Sequence, residues 1–149
     1  MQPVLARHLL NHAKTSRGRS GARAPNMPKV LVVDDDPDLA AVCSLILQSE
    51  GFETTVANNG VEAYDKLTAV KVDAILLDVM MPIMDGLTVC RMVKADPRTE
   101  QVPVIVMSAS EKLCEQARVA NADAVISKPF NIDDLVLAVN SLVYGGTAA

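Results

Sequence analysis

From Lys29 onward, short apolar runs alternate with longer segments whose apolar residues return every three or four positions. Val30 to Val33 is a continuous β-branched and leucine run, the signature of a strand buried on both faces. Asp36 and Pro37 follow as N-cap and first helical residue. Leu39, Val42, Cys43, Ile46 and Leu47 then recur on one predicted inward helix face until Gly51 ends the helix. Phe52 to Ala57 alternates like a strand, and Asn58-Asn59-Gly60 turns into a second helix ending near Thr68. Asp73 to Leu77 is another buried strand. Gly86 to Lys94 is a third helix with Leu87, Cys90 and Val93 (or Met92) inward, stopped by Asp96-Pro97.

Val104 to Met107 supplies a fourth strand, Glu111 to Ala120 a fourth helix and Ala124 to Ile126 a fifth strand. Asn131 caps a last helix. Asp133 and Asp134 favour its dipole, and Leu135, Val136, Val139 and Leu142 face the sheet until Gly145-Gly146. Five β–α units with short buried strands predict one α/β domain, a five-stranded parallel sheet with helices on both faces. A (βα)₈ barrel needs a longer chain than these 149 residues.

Composition narrows the function. Half the residues are apolar and 21% charged, which leaves room for a real core. Aromatics are 3%, too few for a base-stacking platform. No apolar run approaches the roughly 18 residues of a membrane span, so no membrane partner is expected. Cys43, Cys90 and Cys114 are far apart and without a CxxC pair, which reads as reduced thiols in a cytoplasmic protein. Cys43 and Cys90 fall on inward faces as small hydrophobes, and Cys114 is expected to be more exposed. The net charge of -4 averages two unlike pieces. Residues 1–27 hold Arg7, Lys14, Arg17, Arg19 and Arg23 and no acid, and the remainder is strongly acidic. Only Val4 to Leu10 looks amphipathic in this basic extension, which is expected to be disordered and dispensable, so that removing residues 1–26 leaves stability and chemistry intact. His8 and His12 lie within it and are assigned no metal.

In an open α/β sheet, ligands bind beyond the carboxyl ends of the strands. There the predicted strands end in Asp34-Asp35, Asp78, Ser108 and Lys128. Each piece alone is ordinary, because Asp34-Asp35-Asp36 can be a helix cap and Lys128 a surface lysine. Their coincidence on one edge is not ordinary. Three gathered carboxylates need a counter-charge, and with no His or Cys among them Mg²⁺ suits better than zinc. A metal, a lysine and a hydroxyl around one free carboxylate describe phosphoryl transfer to an Asp nucleophile.

Leu31-Val32-Val33-Asp34-Asp35-Asp36-Pro37, Asp78-Val79-Met80-Met81-Pro82-Ile83-Met84-Asp85-Gly86, Ser108-Ala109 and Lys128-Pro129-Phe130 together resemble the receiver domain of two-component response regulators. The resemblance spans residues 28–144, between the basic extension of residues 1–27 and a short tail of 145–149, and implies the (βα)₅ flavodoxin-like, doubly wound order. It implies Asp78 as the phosphoacceptor that takes the phosphoryl group of a phosphohistidine. Asp35 then ligates Mg²⁺ directly, Asp34 acts mainly through water, and the Met80 backbone carbonyl completes the metal shell. Ser108 would bond the new phosphoryl group and Lys128 bridge to it, with Lys128-Pro129 cis. Asp85-Gly86 resembles the turn closing the active-site loop, where Gly permits φ > 0. Val125 departs from the family, which often carries an aromatic residue there, and this predicts a muted change across the fourth helix, fifth strand and fifth helix. Asn121 stands where Gly is common and tolerates the left-handed region.

With only five residues after Tyr144, a stand-alone switch is expected, and the resemblance implies a phosphoacceptor that catalyses its own phosphorylation and dephosphorylation and is not a conventional enzyme. Its expected partners are a sensor histidine kinase or histidine phosphotransfer protein and a downstream protein target. It is expected to lack a DNA-binding domain, and to be a monomer or a phosphorylation-dependent dimer. Two other classes compete. A small aspartyl-phosphate hydrolase would place its nucleophile at Asp34, but Asp38 stands where that motif needs Thr or Val. Nucleic-acid binding would rest on the five basic residues of the extension against an acidic body, and would collapse with salt.

Overall fold

The computed structural model describes residues 27–145. The extension's other expectations, including Val4–Leu10 and the two histidines, lie outside them. Five parallel strands form one sheet: β1 (Lys29–Val33), β2 (Glu53–Ala57), β3 (Ala74–Asp78), β4 (Val104–Ser108) and β5 (Ala124–Ser127). Their order is β2-β1-β3-β4-β5, so the winding direction reverses at β1. That reversal opens a crevice above the carboxyl ends of β1 and β3.

The helices are α1 (Pro37–Ser49), α2 (Gly60–Ala69), α3 (Gly86–Ala95), α4 (Glu111–Val119) and α5 (Ile132–Val143). Each starts on a side-chain oxygen that accepts an early backbone N–H, from Asp36, Asn59, Asp85, Ser110 or Asn131. Such a cap contributes about 1 kcal/mol. Two apolar layers sandwich the sheet. Leu31, Val33, Ile75 and Leu77 meet α2, α3 and α4 on one face. Val30, Val32, Leu76 and Met107 meet Ala40, Cys43 and Leu47 of α1 and Leu135 and Val139 of α5 on the other. Strands β3 and β4 are buried end to end, which explains their unbroken apolar runs. Among the described residues, no helix is long and apolar enough to cross a membrane.

Two burial expectations need correction. Val42 is exposed, because the inward stripe of α1 runs through Ala40, Cys43, Ser44 and Leu47. Val42 instead lines a groove of about 610 Å³ with Leu39, Ile46, Pro129 and Phe130. Cys114 is not the exposed thiol: it is 4% accessible, with Sγ 3.8 Å from the Ser108 carbonyl oxygen. It sits on the inner side of α4, one turn after Ser110. Cys43 and Cys90 are buried as expected, and burial pushes the Cys43 thiol up to about 11. Pro28, the first residue after the basic extension, is tied to the sheet, its carbonyl accepting the Glu53 N–H at 2.8 Å.

Candidate functional site

Strand ends place the chemistry. Asp78 is the last residue of β3 and Ser108 the last of β4, while Asp34 follows β1 and Lys128 follows β5. One carboxylate oxygen from each of Asp34, Asp35 and Asp78 lies within 4.8 Å of the others. Asp34 and Asp78 are buried and Asp35 is exposed at the mouth. Lys128 Nζ donates to Asp78 Oδ1 at 2.9 Å and stands 3.8 Å from Asp34 Oδ2. The structure thus brings Asp34, Asp35, Asp78 and Lys128 together.

Asp34 is held on one side only. Its Oδ1 accepts the Asp36 N–H at 2.9 Å, while Oδ2 is buried with no hydrogen-bond partner. Burial pushes its carboxyl above the ordinary range, opposed by the Asp36 N–H; Asp78 reinforces the rise and Lys128 counters it. A buried anionic oxygen without a donor is costly unless a cation or a proton meets it. An all-oxygen set with one such oxygen fits a hard divalent ion.

Ser108 is buried beside this cluster, its hydroxyl oxygen accepting the Ser110 N–H at 3.0 Å. The Lys128 N–H donates to the Ser108 carbonyl at 2.9 Å, so hydroxyl and amine hang from adjacent strand ends. Lys128-Pro129 is cis, as the resemblance implies. The Met80 side chain is 65% exposed, pointing away from any role of its own in the cluster. Val125 pairs with Val106 and packs, half-buried, on the α2–α4 side of the core. Asn121 has φ 72°, the left-handed turn expected of it.

The loop joining β3 to α3 differs from expectation. Gly86 does not adopt positive φ; among non-glycine residues Ile83 does, at 71°. Gly86 is needed for space: a Cβ there would lie 2.4 Å from the Asp78 carbonyl oxygen and 2.8 Å from the Val79 Cα. Its N–H closes the loop onto the Val79 carbonyl at 3.0 Å. Sequence reasoning missed Ser110, which both caps α4 and binds Ser108. A serine directly before Glu111 was the available signal.

Residues 30–140 match the family model described as the response regulator receiver domain. The chain is 31% identical over 119 residues to the DNA-binding dual master transcriptional regulator RpaA of Synechocystis, covering 78% of this chain and 49% of the relative. It is 36% identical over 115 residues to the DNA-binding response regulator MtrA of Mycolicibacterium smegmatis, covering 76% and 49%. The solved receiver domain of the Francisella response regulator 1452 superposes with a TM-score of 0.73 at 34% identity, covering 78% of this chain and 97% of that one. The chain belongs to the response regulator receiver family, the phosphoacceptor class of two-component signalling. That disposes of the hydrolase reading.

The comparisons also correct the partner expectation. The chain spans about half the length of these relatives, which are DNA-binding regulators. A partner set confined to a kinase or phosphotransfer protein and a protein target, with no DNA-binding domain, does not stand. The physical reason is that a receiver fold leaves its output to whatever is joined to it, which its own residues do not encode.

Proposed function

We propose that this domain takes a phosphoryl group onto Asp78 from a phosphohistidine and catalyses both that transfer and its hydrolytic loss. Lys128 Nζ binds Asp78 Oδ1, which leaves Oδ2 as the attacking oxygen. Oδ2 forms the new P–O bond as the P–N bond breaks, and the electron pair leaves with the imidazole. Lys128 then meets the phosphoryl charge, and the Ser108 hydroxyl donates to a phosphoryl oxygen after giving up the Ser110 N–H. Asp34, Asp35 and the Met80 carbonyl, with Asp78, are the groups that would hold Mg²⁺. Bound there, the ion supplies neutralisation of the charge gathered between carboxylates and phosphoryl oxygens. A reduced, cytoplasmic setting fits the three free thiols.

The observation that carries this reading is the acid trio within 4.8 Å, with one buried oxygen unmet and a lysine already on the acceptor. The test is incubation with Mg²⁺ and acetyl phosphate, followed by intact mass and site mapping. One phosphoryl group on Asp78 is expected, absent in Asp78→Asn. Labelling that persists in Asp78→Asn, or that maps to Asp34, would refute it.

A further inference from the structure

Between Val79 and Gly86 the chain is anchored at both ends and forced through a tight turn between them. Val79 and Met81 are buried in the α2–α4 core layer, and Met84 packs against it. Met84 is further wedged at Gly60, where an added Cβ would stand 3.0 Å from its Cβ and Cγ. Pro82 fixes its own φ and restricts Met81 to extended conformations. The chain must therefore reverse at Ile83. It does so with φ 71° and a Met84 N–H donated to the Pro82 carbonyl at 2.8 Å. A two-residue hydrogen bond around a positive φ is the rare, strained form of γ-turn.

Isoleucine is an ill-suited residue for that place. Positive φ in a β-branched residue is a true outlier; glycine adopts it without steric cost, and asparagine, which is not β-branched, at a lower cost than isoleucine. Among the described residues no packing repays the strain, since the Ile83 side chain is 88% exposed and belongs to neither core layer. Any conformation that lets Ile83 return to negative φ relieves the turn. Such a conformation must release the Met84 or Gly86 hydrogen bonds, and with them the path of the backbone through Met80, two residues after Asp78.

We propose that Ile83 spring-loads the β3–α3 loop, so that the loop opens more readily than one carrying asparagine or glycine at this position would. Ile83 is then a positioning residue for the site, acting through the backbone it shares with Met80 and not by contact. An open loop takes the Met80 carbonyl away from the acid trio, so the spring weakens Mg²⁺ binding. That second consequence rests on the phosphoacceptor reading; the opening itself does not.

Amide hydrogen exchange at Met84 and Gly86 in the full chain without metal reads the opening directly. The left-handed cost of an ordinary L-residue predicts protection about 5- to 30-fold greater in Ile83→Asn. Ile83→Gly should gain less, because glycine is also freer in the opened loop. Ile83→Val, equally β-branched, should exchange like the wild type. Titration with MgCl₂, followed by thermal shift, should show tighter binding in Ile83→Asn by up to the same factor. Equal protection in wild type and Ile83→Asn would overturn the proposal, even if the variant melts higher, because the strain would then be static. Ile83→Val matching Ile83→Asn would overturn it as well. A wild type that binds no Mg²⁺ would instead break the phosphoacceptor reading and leave the exchange result to decide the spring.

Discussion

Aspartates stand at both ends of this sheet, and the two ends treat them in opposite ways. At the amino ends, Asp73 and Asp123 each precede a strand and close a ring with the first residue of its neighbour. Asp73 donates its N–H to the Lys29 carbonyl at 2.7 Å and accepts the Lys29 N–H on Oδ2 at 2.8 Å. Asp123 does the same with Val104, at 2.8 Å both ways, and pairs with Lys94 Nζ at 2.7 Å. These carboxylates satisfy strand amides that would otherwise be orphans. At the carboxyl ends, Asp34, Asp35 and Asp78 crowd together, and Asp34 keeps an oxygen that no donor meets. Acids that complete the fold are satisfied within it. The carboxyl-end cluster leaves one of its buried acid oxygens short.

The sharpest way to break that contrast is to remove one acid from each end. Asp123→Ala strips the Val104 amide of its acceptor and leaves Lys94 without its carboxylate. A loss of about 2 kcal/mol in urea unfolding is expected, with phosphate uptake from acetyl phosphate retained. A variant as stable as wild type would mean that the amino-end ring is ornamental. Asp34→Asn should do the reverse in metal-free buffer. An amide oxygen still accepts the Asp36 N–H, while the buried charge disappears, so the domain should gain about 1 kcal/mol. The same variant should lose most of its thermal response to Mg²⁺. Destabilisation without metal would contradict the claim that the site is under stress.

A smaller effect comes from a third acid, on the flank. Arg98 binds Asp96 through two nitrogens, and the Tyr64 hydroxyl donates to the same carboxylate. Arg98 first and Tyr64 second hold the Asp96 carboxyl well below the usual range. The unfolded chain therefore takes up its proton before the folded one does. The contribution of Asp96 is intact above about pH 4, near the ordinary carboxylate value, and fades as pH falls toward the depressed one. The melting gap between wild type and Asp96→Asn should be constant from pH 7 to about pH 5 and narrow below about pH 4. Widening on acidification would count against this pairing.

How much of this was legible in the sequence depends on the range over which each property is decided. Strand and helix order follows from local periodicity, and Asp36, Asn59 and Asn131 announce their helices within a few residues. The site was legible because parallel β–α units deliver every strand's carboxyl end to one edge, so Asp34, Asp78, Ser108 and Lys128 could be gathered by counting. Which aspartate does which work was not legible by type. Asp73 and Asp78 bracket the same strand, and only their ends of it separate an acid that satisfies a strand amide from one gathered into the carboxyl-end cluster. Val42, Cys114 and Gly86 were misjudged for a shared reason. Each is decided by how a short stretch packs in three dimensions: α1 turned so that Ala40, Cys43 and Leu47 face inward, Cys114 lying against the Ser108 carbonyl, and Gly86 lying against the Asp78 carbonyl. Ile83 escaped notice because its backbone is set by anchors on both sides, and an isolated Pro82-Ile83-Met84 carries no turn signal.

The Lys128 amide and the Ser108 carbonyl share a rung of the ladder. A pull on the serine is therefore a tug on the lysine's own main chain, two residues after the strand position where Ile126 faces Met107. The edge of the sheet would register an arriving charge as one yoked shift of β4 and β5, and uncoupling the pair would first require cutting that rung.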